Sequence, residues 1–129
     1  MRSSWALAAA VLLTCSAPVA VAQAEEPGCE YRLSAPYVVD VSGTPMVTAT
    51  LTTGACEASN TYLTVACVQV QGSPTAGLCR QNNGPLTAQV YYGALQPGAT
   101  YVSTGRGCWT SGNPPQPTCA PVGPFTATL

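Results

Sequence analysis

The amino-acid sequence predicts an all-β fold, an antiparallel β-sandwich of about seven short strands stapled by disulfides. Apolar and polar residues alternate along several short segments, which is the pattern of half-buried strands. No segment keeps helical spacing over three turns. Glycine and proline interrupt the chain at short intervals, as they do between strands.

Residues 1–24 have the features of a secretory signal peptide. Arg2 supplies a positive charge, the run 5–13 is apolar, and small residues lead to a cleavage site after Ala24. The apolar run is far shorter than the roughly 20 residues of a transmembrane helix, and no other segment approaches that length. We therefore expect a secreted, extracellular protein without a membrane span, whose mature chain is a single domain, 25–129.

Two further features bear on where the protein is found. Cys15 raises the alternative of a lipoprotein, but Leu13 and Thr14 do not fit the small residues expected before a lipidated cysteine. Anchoring at Cys15 is therefore not favoured. Alanine, proline, glycine, threonine and valine are abundant and lysine is absent, which is typical of a GC-rich genome, so we expect a bacterial and specifically an actinobacterial origin.

The scarcity of ionisable side chains excludes most catalytic and ion-binding chemistry. Charged residues make up 7% of the chain, against about 25% in an average globular protein. Without histidine or lysine there is no imidazole base, histidine metal ligand, Schiff-base lysine or phosphate-loop lysine. Arg32, Arg80 and Arg106 are too dispersed for a nucleic-acid patch. We expect no enzymatic activity, no cofactor, no metal and no nucleic-acid partner.

The strand pattern is clearest where Val47, Ala49 and Leu51 alternate with threonines, giving one apolar and one polar face. Residues 62–70 are instead apolar on both faces, as in a central strand. With turns at the glycine and proline clusters, the sequence predicts strands at 36–41, 46–53, 61–70, 77–81, 86–92, 100–109 and 122–129.

Removal of the signal peptide leaves an even number of cysteines in an oxidising compartment, which predicts three disulfides. The numbers of paired residues in an antiparallel hairpin have a constant sum, so each disulfide should be centred on a turn. Three pairs of neighbouring cysteines are centred on the turns near residues 43, 73 and 113. The last register also places Tyr101 opposite Thr126. The predicted pairs are Cys29–Cys56, Cys67–Cys79 and Cys108–Cys119.

The segment 95–101, Leu-Gln-Pro-Gly-Ala-Thr-Tyr, resembles the Leu-x-Pro-Gly-x-x-Tyr motif before strand F of fibronectin type III and related immunoglobulin-like domains. The resemblance implies an immunoglobulin-like sandwich in which Leu95, Pro97, Gly98 and Tyr101 form a corner. In that corner the tyrosine hydroxyl hydrogen-bonds to the backbone upstream. The chain departs from the family in having no tryptophan on its third strand. The motif implies a fold and no particular function.

The strand after this motif has small residues on the face that usually carries bulky core side chains. These are Ser103, Gly105 and Gly107, which share one face of a regular strand. Because protein interiors are densely packed, we expect neighbours such as Tyr62 and Tyr92 to fill the space. An open cleft between the sheets is the alternative.

The segment 108–119 is the leading candidate for a contact surface. A disulfide closes it, prolines stiffen it, and its tryptophan is of a type common at binding hot spots. We expect contacts from Trp109, Asn113, Pro114 and Pro115. The alternative is a stiff hairpin loop in which Trp109 simply packs on the disulfide.

Part of this segment, Ser111 with 113–116 (Asn-Pro-Pro-Gln), resembles the reactive loop of Bowman–Birk protease inhibitors. The resemblance implies a protease inhibitor that acts through the 108–119 loop. The ring here is longer, Gly112 is inserted, and the rest of the chain does not match the scaffold of those inhibitors.

Two other groups of side chains are candidates for a site. The tyrosines could form an aromatic surface for a glycan or a small molecule, although tyrosines in sheets more commonly form core and cross-strand pairs. They are Tyr31, Tyr37, Tyr62, Tyr91, Tyr92 and Tyr101. Tyr91 is the leading one, because it is predicted to face outward. Asp40 and Glu57 could supply the carboxylate pair of a glycoside hydrolase. They fall on different predicted elements, and we expect them to be solvated charges.

These features favour a secreted, non-enzymatic binding module that contacts an unknown protein or cell-wall component through its loops, with an exposed Trp109. The alternative is a carrier of a small molecule, similar in architecture to the chromophore-binding apoproteins of the neocarzinostatin type, with a cleft beside Gly105 and Gly107. That comparison is an analogy of fold, since none of their motifs occurs in this chain. An inhibitor would present a convex 108–119 loop.

Overall fold

The computed structural model describes residues 26–129, so the predicted signal peptide and Cys15 lie outside the described residues. This part of the chain is all-β, and no helix in it could span a membrane. Its eight strands are β1 (Gly28–Leu33), β2 (Tyr37–Val41), β3 (Thr44–Glu57), β4 (Ser59–Val70), β5 (Leu78–Asn83), β6 (Ala88–Ala94), β7 (Thr100–Ser111) and β8 (Gln116–Thr128).

The strands form two antiparallel sheets around one core, which confirms the predicted sandwich. In the first sheet β6 pairs with one edge of β3, and β1 and β2 follow one another along the other edge. The second sheet has the order β5-β4-β7-β8. The chain changes sheet between β3 and β4, between β5 and β6, and between β6 and β7.

The structure has one strand more than predicted. The prediction lacks β1, although apolar and charged residues alternate over 29–33 in the pattern of a strand. The strands that carry disulfides also run further than predicted, because β3 continues to Glu57 and β8 begins at Gln116. Leu86, which the prediction placed at the start of a strand, precedes β6 and is exposed.

The three disulfides join the cysteine pairs predicted from the turn centres. Each pair occupies directly opposite positions of an antiparallel ladder. The Cα atoms are 4.0 Å apart in Cys29–Cys56, 4.0 Å in Cys67–Cys79 and 4.1 Å in Cys108–Cys119. Each bridge restricts the unfolded chain, which typically contributes about 2–4 kcal/mol to the stability of a domain.

The predicted register of the last hairpin is wrong by one residue at its far end. Tyr101 lies opposite Ala127 and not opposite Thr126. The physical reason is an irregularity between Ser103 and Gly105, where the ladder shifts by one residue. The constant sum of paired residue numbers, on which the prediction was based, therefore holds from the disulfide to Gly105 and changes by one beyond this shift.

The core side chains come from the inward faces of the central strands. The alternation predicted for β3 is observed, since Val47, Ala49 and Leu51 are completely buried while Thr50 and Thr52 face outward. Full burial of a valine or leucine side chain contributes roughly 1.5–3 kcal/mol. The other members of this core cluster are Ala66, Val68, Ala88, Val90 and Tyr101.

The inward face of β7 has no side chains at Gly105 and Gly107, and residues from the first sheet fill the space above them. A Cβ atom added to Gly105 would lie 2.9 Å from Cδ1 of Leu51 and 3.4 Å from Cδ1 of Leu33. A Cβ atom on Gly107 would overlap the ring of Tyr31. These three side chains therefore pack directly on the backbone of β7.

The residues expected to fill this space lie elsewhere. Tyr62 is exposed, and the ring of Tyr92 packs edge-on against Tyr101, with centroids 5.9 Å apart. Ser103 is completely buried, and its hydroxyl donates to the carbonyl oxygen of Ser34 at 2.7 Å. No cleft opens between the sheets at Gly105, because Leu33 and Leu51 occupy that position.

The segment 95–101 forms the corner that its sequence implies. Tyr101 is completely buried, and its hydroxyl accepts a hydrogen bond of 2.9 Å from the backbone N–H of Gln96. Leu95 packs against the core cluster. Gly98 has a φ of 83°, a left-handed conformation that favours glycine, directly after Pro97.

We expect Gly107→Ala to destabilise the protein by about 1–3 kcal/mol, because the new methyl group displaces the Tyr31 ring. Gly28→Ala is the matched control, since its methyl group would meet the Trp109 ring of the same cluster at an ordinary 3.6 Å. Urea unfolding of both variants measures the difference. Equal midpoints for the two variants would contradict the close packing of Tyr31 on β7.

Candidate functional site

The segment 108–119 continues the β7–β8 hairpin instead of forming an irregular ring. Antiparallel pairing extends past the disulfide to Ser111 and Gln116, so that only 112–115 form the turn. β4 supports the same end, because its first residue Ser59 pairs with Ser111. We call residues 112–115 the hairpin tip. It carries three of the predicted contact residues, all exposed: Asn113, Pro114 and Pro115.

Trp109 is held against the first sheet and is not the exposed side chain expected from the sequence. Its exposure is intermediate, and its ring centroid lies 6.0 Å from that of Tyr31. Gly28 of β1 lies against the same indole. Trp109 thus joins the base of the hairpin to β1 across the two sheets.

Tyr31 is the centre of this junction. Its hydroxyl shares a 2.9 Å hydrogen bond with the hydroxyl of Thr61, which also lies 3.7 Å from Sγ of Cys56. Burial raises the pKa of Tyr31 above its usual value, and this effect exceeds the opposing effect of the Thr61 hydrogen bond. The Cys29–Cys56 and Cys108–Cys119 disulfides therefore sit at the same end of the sandwich, with an aromatic pair between the sheets.

The outer face of the second sheet carries a shallow depression of about 470 Å³ beside the Cys67–Cys79 disulfide. Val65, Arg106 and Pro121 occupy one row of its floor, on β4, β7 and β8. Arg106 is the one charged residue that lines it. No carboxylate side chain occurs in the sequence after Glu57, so this sheet carries arginines without acids.

The outer face of the first sheet carries a row of three side chains on neighbouring strands. Tyr37 of β2 and Tyr91 of β6 both lie opposite Thr48 of β3. Both tyrosines are exposed, as predicted for Tyr91, whereas Thr48 is completely buried. Gln89 of β6 lies opposite Thr50, and its side-chain amide donates a hydrogen bond to the hydroxyl of Thr48. We call Tyr37, Thr48, Gln89 and Tyr91 the tyrosine platform.

The acidic residues do not form the carboxylate pair considered from the sequence. Asp40 lies near the β2–β3 turn, where Oδ1 accepts a hydrogen bond of 2.8 Å from the N–H of Gly43. Glu57 ends β3 at the other end of the sheet, beside a depression of about 320 Å³ that Glu26 and Glu30 also line. Among residues 26–129, no group of three or more potential ligands is placed to hold a metal ion.

Scans of protein-family models, curated proteins and solved structures find no significant match to the chain. The site is therefore argued from its own geometry. That geometry offers an exposed hairpin tip, an outer depression and an aromatic platform.

Sequence reasoning did not predict the positions of two tyrosines that organise these surfaces, Tyr31 and Tyr37. Tyr31 belongs to the missed strand β1, and the alternation over 29–33 was the signal that could have identified it. Tyr37 was one of six tyrosines considered for an aromatic surface, but its place in one row with Tyr91 was not predicted. That pairing depends on which edge of β3 each strand takes, and the local pattern does not specify the edge.

We expect Tyr31→Phe to lower the unfolding free energy by about 1 kcal/mol, because the hydrogen bond to Thr61 is lost. The alkaline absorbance titration of the wild type minus that of the variant should show a phenol with a pKa above the usual value of about 10. The folded state binds this proton more tightly, so the stability from Tyr31 is complete below about pH 10 and falls as the pH rises through the raised pKa. A difference titration with its midpoint at or below 10 would contradict this assignment.

Proposed function

We propose that this protein is a secreted, non-enzymatic binding module that contacts a protein or cell-wall component through the hairpin tip. The observation that carries the proposal is an exposed turn of four residues on a hairpin that is closed by a disulfide and paired up to the turn itself. A contact surface that is already ordered loses little conformational entropy on binding.

The base of the hairpin supports this role. Trp109 packs on Tyr31, and Tyr31 is hydrogen-bonded to Thr61 on β4. The tip is therefore connected to both sheets through side chains that binding does not need to rearrange. In this proposal Trp109 positions the tip, and Asn113, Pro114 and Pro115 make the contacts.

Secretion is supported by the signal-peptide features of residues 1–24 and by three disulfides, which persist in oxidising compartments. A non-enzymatic role is supported by the lack of histidine and lysine in the sequence. It is also supported by the separation of Asp40 from Glu57 at opposite ends of one sheet.

The two alternative functions, a protease inhibitor and a small-molecule carrier, would use different parts of the structure. A protease inhibitor would use the same exposed tip, so a protease is one class of protein partner that the proposal includes. A carrier would need space between the sheets, and Tyr31, Leu33 and Leu51 occupy that space beside β7. The geometry therefore favours contact by the surface over enclosure of a small molecule.

The test measures binding of the folded protein to purified cell walls and to the secreted proteins of its source organism. The double variant Asn113→Ala with Pro115→Ala should bind at least about tenfold more weakly, since both side chains lie at the proposed contact. Pro74→Ala is the control, because it removes an exposed proline from the β4–β5 turn at the opposite end of the sandwich.

Binding that all three proteins share equally, or no binding to either preparation, would contradict the proposal. A parallel assay against a panel of serine proteases separates the partner classes. Inhibition by the wild type that the tip variant loses and Pro74→Ala keeps would identify a protease as the partner.

A further inference from the structure

We propose a second binding site, the tyrosine platform on the outer face of the first sheet, and assign it to an extended, neutral β-1,4-linked polysaccharide. This site is separate from the hairpin tip. Its floor is Thr48 on the central strand β3, with Tyr37 on one side and Tyr91 on the other.

The spacing of the two tyrosines suits an extended polymer. Tyr37 and Tyr91 stand in one row on β2 and β6, with β3 between them. Neighbouring strands are about 4.7–4.9 Å apart, so the tyrosine backbones are roughly 10 Å apart. That separation is close to one disaccharide repeat of an extended 1,4-linked chain, in which every second sugar presents the same face.

Thr48 lies between the two tyrosines of the platform. It faces outward, because its neighbours Val47 and Ala49 are in the core. It is nevertheless completely buried, and the Gln89 amide that donates to its hydroxyl is one of the groups beside it. Tyr37 and Tyr91 are its direct neighbours across the sheet and remain 38% and 44% exposed, so each keeps aromatic area open to solvent.

The polar groups of the platform are fixed and leave hydrogen-bonding capacity for hydroxyl groups. The hydroxyl of Thr48 donates to the carbonyl oxygen of Val90 at 2.8 Å and accepts from Nε2 of Gln89 at 3.1 Å. This bond directs the carbonyl oxygen of the Gln89 amide away from Thr48, where it can accept from a ligand. The amide is thereby oriented before a ligand arrives.

The lack of charge on this face favours a neutral ligand. Met46, Thr48 and Thr50 are successive outward positions of β3, and their partners across the sheet are also uncharged. The first charged partner is Arg32, opposite Thr52. Sugar rings have apolar C–H faces and hydroxyl edges, which match exposed tyrosine faces beside a fixed amide.

A second copy of the chain fits this face less well. A stable dimer buries about 800 Å² on each partner. The large apolar side chains exposed on this part of the sheet are Tyr37, Val41 and Tyr91, each less than half exposed. Two rings and a glutamine amide offer enough area for a few sugars and too little for a dimer.

The test is retention of the full mature protein on microcrystalline cellulose and on chitin, with helical amylose as the contrasting polymer. We expect saturable binding to cellulose, chitin or both, weaker binding to amylose, and at least about a tenfold loss for Tyr37→Ala and for Tyr91→Ala. Tyr62→Ala is the matched control, because Tyr62 is 41% exposed and lies on β4 of the other sheet. Unfolding midpoints verify that each variant is folded.

Each remaining outcome would overturn the assignment. These outcomes are no retention on either fibre, equal retention of all three tyrosine variants, or preference for amylose. A concentration-dependent dimer in sedimentation that Tyr91→Ala abolishes would make the face an interface between copies. The tip variant Asn113→Ala with Pro115→Ala should keep full binding to the fibres. The proposal for the platform and the proposal for the hairpin tip can therefore be refuted independently.

Discussion

The fold depends on the small residues Ser103, Gly105 and Gly107 on the inward face of β7, between Tyr101 and Trp109. Gly105 and Gly107 let Leu33, Leu51 and Tyr31 of the first sheet rest directly on the backbone of the second. The same contact holds β1 in place, because Tyr31 is its central apolar residue. A strand with ordinary core residues at these positions would push the sheets apart and expose the aromatic junction below the hairpin.

This constraint also determines where function can reside. Tyr31, Leu33 and Leu51 fill the space between the sheets beside β7, which is why the proposed binding sites lie on outer surfaces. The outer surfaces differ in character. One end carries the hairpin tip, the second sheet has arginines and no acids, and the first sheet carries the uncharged tyrosine platform. Separate rigid surfaces on a small stapled domain are suited to binding, and they require no moving part.

Much of the fold could be predicted because its signals are local. Alternation identified the inward face of β3, and the turn centres gave the disulfide pairs, since a cysteine pair and its turn lie in one hairpin register. The shift near Ser103 and the filling of β7 by Tyr31 depend on contacts between sheets, which no local pattern encodes. The half-burial of Trp109 could have been predicted from the sequence, because Trp109 lies two residues after Gly107 and therefore on the same inward face of the strand.

The packing of Tyr31 on Gly107 can be tested most directly by proton NMR. The ring current of an aromatic side chain that packs face-on against a glycine shifts the Hα resonances of that glycine upfield. We expect strongly upfield Hα resonances for Gly107, with nuclear Overhauser contacts to the Tyr31 ring protons, and a return towards ordinary shifts in Tyr31→Leu. Gly107 Hα resonances at random-coil positions without contacts to Tyr31 would contradict the account.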